Sequence, residues 1–295
     1  PDGLTWAFLG LGVLLLPLGL YLALAAPPDA NQGYLVRIMY LHVPTAWVGY
    51  LAFFVTFLYS LLYLFRQDPR HDRVAAASAE IGLVFMGLAL VTGMLWARPT
   101  WGVYWTWEPR RTTTAILFAV YVGYFLLRGA IEDPELRRKA AAAVGVLGFL
   151  NVPISYMSVK WWRSLHQTQS IDLTTGKIHM APEMLQVLLF HLAVFTLLYL
   201  GFVRFRGLVA AGEGAEEEAG WGGEGEVPPR HSGHPGRFGV HGLRGAWAEP
   251  GLLPHPFGVP PGPGQVPEPP RPPRGAGEAR NRPVRQGPPG APLRP

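Results

Sequence analysis

The sequence predicts an all-α membrane protein with six transmembrane helices, followed by a disordered C-terminal tail rich in proline, glycine and arginine. Three observations support this fold class: six long apolar stretches, a change in composition near residue 206, and the lack of the amphipathic stripes that a soluble helical bundle requires. A bilayer core about 30 Å thick needs about 20 apolar residues in a helix. Stretches of that length occur at residues 4–26, 45–65, 74–96, 112–131, 140–159 and 183–203.

In chain order, the flanks of these stretches are consistent with spans. The first stretch is too long for a removable signal peptide and lacks the basic flank. The third and sixth contain Glu80 and Glu183 near their beginnings, where a helix N-terminus tolerates a carboxylate. Short charged connections lie at residues 66–73 and 132–139. The longer connections are residues 27–44, 97–111 and 160–182.

The charge distribution predicts the orientation of the spans. An even number of spans places both chain ends on one side, together with the two short connections. That side carries nine arginine and lysine residues near the helix ends, against seven on the opposite side. Because positive residues are retained in the cytoplasm, we expect the short connections and the tail to be cytoplasmic. The three longer connections then lie on the outer side.

The C-terminal part has a different composition from the rest of the chain. Residues 207–295 contain 20 glycines, 19 prolines and no lysine, and their 9 arginines balance 9 glutamates. The net charge of +5 therefore belongs to residues 1–206. With few aliphatic residues, the tail cannot bury enough surface to fold. The sequence predicts a membrane domain at 1–206 and a tail at 207–295 that is either disordered or translated out of frame from a GC-rich gene.

Several kinds of chemistry are excluded by missing residues. The chain has no cysteine, which excludes disulfides, iron–sulfur clusters and covalent haem attachment. The segment at residues 174–177 lacks the glycine and the final hydroxyl residue of a phosphate-binding loop, and no hydrolase or dinucleotide motif occurs. We therefore expect a transport or assembly subunit without its own nucleotide site, not an enzyme, and no nucleic-acid partner.

The second outer connection is rich in tryptophan and arginine. Trp101, Trp105 and Trp107 would share one face of an extended backbone, whereas on a helix only the first two would do so. An aromatic belt at the membrane interface is the alternative explanation. A platform that stacks a planar ligand also explains the charged residues, because arginines pair with carboxylates. The candidate arginines are Arg98, Arg110 and Arg111.

Two histidines flank this segment on the same side of the membrane. His42 lies in the first outer connection and His166 in the third. Two neutral imidazoles near a flat aromatic site are suited to axial ligation of a porphyrin iron. Each histidine taken alone could instead be a polar residue at a helix end. His179 is a competing ligand, and His191 inside the sixth span is either functional or a hydrogen-bonded packing residue.

Three segments resemble signatures of the CcmC family of bacterial cytochrome c maturation. They are residues 37–47, 92–112 and 151–167, and with the six spans the resemblance covers residues 4–206. The tryptophan-rich segment corresponds to that family's external haem-binding segment. Residues that match it are Trp101, Gly102, Trp105, Trp107 and Arg110. Glu108 stands where aspartate is most common and Arg111 where leucine is usual.

The resemblance implies a function, a cofactor and partners. It implies that haem b is bound non-covalently and transiently at the periplasmic face of the inner membrane, with His42 and His166 as the ligands of the haem iron. Trp101, Gly102, Trp105, Trp107 and Glu108 would form the platform. The haem would pass to the chaperone CcmE, with CcmA, CcmB and CcmD as partner subunits of an ABC-transporter-type complex in the lipid bilayer.

Two other functions remain open from the residues alone. A membrane b-type cytochrome that carries electrons would hold haem between histidines inside its spans, and here only His191 lies inside a span. A permease for another planar anion would use the aromatic platform and the arginines without the histidines.

Overall fold

The computed structural model describes the backbone of residues 1–223 and the side chains of residues 1–216. Six of its helical segments are long and apolar enough to cross a membrane, which confirms the predicted six-span architecture. In chain order the elements are α1 (Gly3–Ala25), a 3-10 helix (Tyr34–Ile38), α2 (Met39–Arg66), α3 (Pro69–Trp101), α4 (Pro109–Ala130), α5 (Pro134–Phe149), α6 (Asn151–Trp161), β1 (Ile171–Asp172), β2 (Lys177–Ile178) and α7 (Pro182–Gly223).

Acidic side chains mark where several of the helices begin. The carboxylates of Asp2, Asp68, Glu108 and Asp133 each accept a hydrogen bond from a backbone N–H in the first turn of the following helix. Proline occupies the start of α3, α4 and α5, where its missing N–H costs nothing. Local sequence thus accounts for the start of α1, α3, α4 and α5.

The fifth span is a broken helix instead of the single segment expected at residues 140–159. α5 and α6 are separated at Leu150. In a continuous helix the ring of Pro153 would clash with the carbonyl of Phe149, four residues earlier, and α5 ends at that residue. The side-chain amide of Asn151 donates to the carbonyl of Thr113 at 2.8 Å, which joins the break to α4.

The bundle is built around α2, which contacts α3, α5 and α7, while α1 packs against α7. Phe53 of α2 stacks on Tyr121 of α4 with ring centres 3.9 Å apart, and both side chains are fully buried. α1 and α7 approach closely at two glycines. A Cβ at Gly12 or at Gly201 would lie 2.6 Å from a leucine side chain of the other helix.

α7 extends beyond the position where the composition changes. It continues past residue 206 to Gly223, so the compositional boundary does not coincide with a helix end. The predicted boundary between a membrane domain and a tail stays a prediction. Residues 224–295, on which most of the expectation of a disordered or out-of-frame tail falls, lie outside the described residues.

Candidate functional site

The three long connections meet at one end of the bundle and enclose two cavities. Gln32 of the first connection donates to Gln167 of the third at 2.8 Å, and Ser164 of the third donates to Glu108 of the second. The cavities contain about 740 and 770 Å³ of empty space, part of it open to solvent, which is in the range of small-molecule sites. Both walls include His42, Ala46, Tyr50, Trp96, Arg110, His166 and Gln167.

His42 lies in the first turn of α2, because residues 39–44, expected in a loop, are already helical. Its Nδ1 atom is 3.0 Å from Oγ1 of Thr92. The Thr92 hydroxyl donates its own proton to the carbonyl of Leu88 at 2.7 Å, so we assign the imidazole proton to Nδ1 of His42, with the Thr92 oxygen as its acceptor. The lone pair of neutral His42 is therefore on Nε2, where it can bind a metal ion.

His166 lies in the connection between α6 and α7 and is half-buried. Its Nδ1 atom is 2.8 Å from the carbonyl oxygen of Gln167, which can only accept, so Nδ1 carries the proton and Nε2 the lone pair. Burial and the nearby guanidinium of Arg110 lower the pKa of His166 to about 4. The imidazole is consequently neutral at physiological pH and available as a ligand.

The two imidazoles form a pair with ring centres 6.5 Å apart and planes inclined by 39°. A metal–imidazole bond is about 2 Å long, so two imidazoles on opposite sides of one metal ion have ring centres roughly 6 Å apart. The observed separation fits this arrangement. No group of three or more protein ligands for a bare metal ion occurs in residues 1–216. A metal ion between the pair would therefore take its other ligands from water, from other kinds of side chain or from a bound group.

The other candidate histidines are placed elsewhere. His179 is exposed beyond the β1–β2 hairpin. His191 is buried in α7, where its Nδ1 donates to the carbonyl of Val187 at 2.8 Å and its ring stacks on Tyr40. Neither residue lies in the wall of either cavity. The structure thus brings together His42 and His166 and separates them from His179 and His191.

The tryptophan segment is neither wholly extended nor wholly helical. α3 continues to Trp101 and ends at Gly102, whose φ of 81° favours glycine. Trp101 and Trp105 lie in the wall of the first cavity. Trp107 is 77% exposed, contacts Trp105 edge-on with ring centres 5.3 Å apart, and lies in neither wall. Two of the three indoles therefore face the cavity.

The three candidate arginines have different surroundings. The buried guanidinium of Arg111 lies 4.6 Å from the ring centre of Trp101, and its Nη2 atom has no hydrogen-bond partner among the described residues. Arg110 lies in both walls and donates from Nη2 to the carbonyl of Tyr156 at 2.8 Å. Arg98 is exposed, donates to the carbonyl of Gly102 and lies in neither wall.

Several site residues were not singled out by the sequence reasoning. Gly93 allows α3 to approach His42, because a Cβ there would lie 3.0 Å from Cε1 of the imidazole. Trp96 packs edge-on against His42 and donates from Nε1 to Gln32 at 2.8 Å. Thr92 and Trp96 are four residues apart and so share a helix face, a signal that could have found them. Nothing in the sequence marks Gln32, whose role depends on a contact with a distant connection.

The chain is similar to proteins that are described as haem exporters. A family model described as CcmC, Heme exporter protein C, matches residues 2–217. The chain is 42% identical over 188 residues to Heme exporter protein C of Bradyrhizobium diazoefficiens, covering 64% of this chain and 71% of that protein. It is 35% identical over 201 residues to Heme exporter protein C of Haemophilus influenzae, covering 68% of this chain and 82% of that protein.

A similarity extends to plant mitochondria. The chain is 36% identical over 165 residues to a protein of Marchantia polymorpha that is described as a ccmC-like mitochondrial protein of cytochrome c biosynthesis. The match covers 56% of this chain and 70% of that protein. The family match, residues 2–217, contains the six spans and the three outer connections.

Proposed function

The chain belongs to the CcmC family, and on that premise we propose that it binds haem at the periplasmic face of the bacterial inner membrane and delivers it to the haem chaperone CcmE. Family membership supports the coarser statement, a part in haem handling for cytochrome c maturation as a multi-pass membrane subunit. We further propose that the cargo is haem b, bound transiently and without a covalent bond.

The observation that carries the proposal is the pair formed by His42 and His166. Both imidazoles are held by hydrogen bonds at Nδ1, which leaves Nε2 of each for a metal ion. Hydrogen bonds at the second nitrogen orient metal-bound histidines in proteins generally. The ring separation of 6.5 Å leaves room for one iron atom between them. A porphyrin supplies four further nitrogen ligands to an iron atom that is held by two imidazoles.

The two cavities offer the space that a porphyrin ring requires. They share the histidine pair but extend to different elements, the first towards α3 and α4, the second towards α7 and the third outer connection. A plate-shaped ligand held at its centre needs room on both sides of that centre. Contact with Trp101 and Trp105 would contribute apolar burial worth about 25 cal/mol per Å², as an upper bound.

The arginines are suited to the carboxylates of haem to different degrees. Arg111 carries a buried N–H without a partner among the described residues, which a propionate oxygen would satisfy. Arg110 uses Nε and Nη2 for Ser158 and Tyr156, which leaves Nη1 for a second carboxylate. Arg98 lies in neither cavity wall and is therefore not favoured. We therefore assign the propionates to Arg111 and Arg110.

Transfer of haem to another protein requires that the haem be bound by several contacts that can be exchanged one at a time. The indoles and arginines would hold the porphyrin, and the histidines would hold the iron. A receiving protein could replace one histidine at a time while the ring stays in its cavity. ATP hydrolysis for this cycle would come from CcmA, acting with CcmB and CcmD, since the sequence contains no phosphate-binding loop.

The test is the absorption spectrum of the detergent-purified full chain after reconstitution with haem. We expect a six-coordinate, low-spin spectrum for the wild-type chain. His42→Ala and His166→Ala should each remove one axial ligand and change the spectrum, while part of the haem stays bound. His179→Ala is the matched control because it removes an exposed histidine from the same outer connection as His166.

A wild-type chain that gives no haem spectrum after reconstitution would contradict the proposal. A wild-type spectrum in both cavity variants would contradict the assignment of the ligands. Transfer to CcmE is tested separately, by mixing the haem-loaded chain with purified CcmE and measuring haem on each protein after separation.

A further inference from the structure

Glu108 is a buried carboxylate that haem binding by the tryptophan segment does not explain. Its residue is 7% exposed, yet it lies in the wall of neither cavity. A buried carboxylate is costly unless it is hydrogen-bonded. Its contacts therefore indicate what it does.

The two oxygens of Glu108 bind two different parts of the site. Oε1 accepts a hydrogen bond from the backbone N–H of Arg111 at 2.7 Å, which caps α4. Oε2 accepts a hydrogen bond from the hydroxyl of Ser164, in the connection between α6 and α7. One carboxylate thus joins the start of α4 to the connection that carries His166.

Ser164 continues the contact to His166. Its oxygen accepts a hydrogen bond from the backbone N–H of His166 at 3.1 Å. Because the Ser164 proton is engaged by Glu108, the serine oxygen is held as an acceptor for the His166 backbone. The next peptide carbonyl, that of Gln167, holds the imidazole itself.

We infer that Glu108 and Ser164 are positioning residues that hold His166 at its distance from His42. This inference rests on the proposed function, since it assigns a role in placing an axial ligand of the haem iron. The connection of residues 162–181 contains only two strands of two residues each as regular structure, so hydrogen bonds such as that from the His166 backbone to Ser164 fix its path. Glu108 itself does not touch the porphyrin.

The test compares Ser164→Ala, Glu108→Gln and Ser164→Thr in the haem-reconstituted full chain. Ser164→Ala removes the acceptor for the His166 N–H. Glu108→Gln keeps one oxygen for the cap of α4 but replaces the other by an amide nitrogen that cannot accept from Ser164. We expect each to convert most of the low-spin signal to high-spin, in absorption and electron paramagnetic resonance spectra. Haem content should fall by less than about twofold, because the cavity walls are unchanged.

Ser164→Thr keeps the hydroxyl and should restore the low-spin spectrum. Thr175→Ala, which removes an exposed hydroxyl from the same connection, is the matched control and should leave the spectrum unchanged. Wild-type spectra in both Ser164→Ala and Glu108→Gln would overturn the inference. Failure of both variants to fold would also overturn it, because the contact would then serve folding. A wild-type chain without a low-spin haem spectrum would instead overturn the proposed function.

Discussion

The hydroxyl oxygen of Thr92 on α3 lies 3.0 Å from Nδ1 of His42 on α2. The threonine hydroxyl donates to the carbonyl of Leu88 within α3, so we assign the imidazole as the donor. This contact between two helices decides that Nε2 of His42 is the nitrogen that remains for a ligand. The same logic holds for His166, where a backbone carbonyl takes the place of the threonine.

Thr92→Val should weaken haem binding without unfolding the chain. Valine has a similar shape but cannot accept from His42, so the imidazole loses the bond that orients it. Loss of such a partner typically costs 10–100-fold in metal affinity, and we expect about tenfold weaker haem binding in a titration. Thr196→Val is the control, because Thr196 makes the same kind of hydrogen bond within α7 and lies in neither cavity wall. Equal affinity in the two variants would show that Thr92 does not orient His42.

Gly93→Ala should displace His42. An added Cβ would lie 3.0 Å from Cε1 of the imidazole, closer than carbon atoms normally approach. We expect loss of the low-spin haem spectrum. Gly87→Ala on the same helix is the control, since its Cβ would be 3.5 Å from Phe118, an ordinary contact. The control should keep the spectrum and raise stability by about 0.5–1 kcal/mol, as alanine does in a helix interior. A normal spectrum for Gly93→Ala would contradict the tight approach of α3 to His42.

Arg111→Leu should lower haem retention while preserving the His-ligated spectrum. The change removes the unpartnered N–H and its charge but leaves both imidazoles in place. A hydrogen bond to a charged group contributes about 1.5–3 kcal/mol, so haem should dissociate roughly tenfold to a hundredfold faster. Dissociation is measured by transfer to excess apomyoglobin. Arg98→Ala, at an exposed position outside both cavity walls, should release haem at the wild-type rate. A faster release from Arg98→Ala than from Arg111→Leu would reverse the assignment of the propionates.

Asp72→Asn should destabilise the bundle at the end opposite the cavities. Asp72 is 4% exposed and forms a two-pronged salt bridge with Arg128, both N–O distances being 2.8 Å. Breaking a buried pair leaves an uncompensated charge and costs about 3–5 kcal/mol. Thermal unfolding in detergent should show a clear drop in midpoint. Glu135→Gln, which breaks the exposed pair with Lys139, should change stability by no more than about 0.5 kcal/mol. Similar unfolding midpoints for the two variants would contradict the conclusion that the buried pair contributes more to stability than the exposed pair.

The β1–β2 hairpin should stay ordered in mild acid. Lys160, followed by Thr174, lowers the pKa of the Asp172 carboxyl well below its ordinary value. A carboxyl with a lowered folded-state pKa stabilises the fold fully above its unfolded value of about 3.9, and this contribution is lost as the pH falls towards the folded value. The protection factors for hydrogen exchange at residues 171–178, which correct for the intrinsic pH dependence of exchange, should therefore be unchanged from pH 7 to about pH 5 and smaller below about pH 3.9. In Asp172→Asn the protection factors should be small throughout. Protection that declines already near neutral pH would show that a group other than the Asp172 carboxyl controls the stability of the hairpin.

Local patterns in the sequence were sufficient to predict the six spans. Apolar length predicted six crossings because a helix must satisfy its backbone and cover the bilayer core. Alternation of the connections placed His42 and His166 on one side, and the structure brings their rings together. The broken fifth span was not expected, although Pro153 lies inside it, because proline in a membrane helix is often accommodated by a kink. The helical start of α2 before Pro44 was also not expected, because apolar length marks the part of a helix inside the bilayer and not the turns that extend beyond it.

The sequence by itself determined that this is a six-span helical membrane protein with histidines and a tryptophan-rich segment on one side, since span length, charge and alternation depend on local composition. The tertiary structure alone decided which side chains act together. Thr92 binds Nδ1 of His42 and leaves Nε2 for a ligand. Glu108 is joined to His166 through Ser164. Trp107 is exposed, whereas Arg111 stacks on Trp101. These relations depend on distances between residues far apart in the chain, which helix packing fixes and composition does not encode.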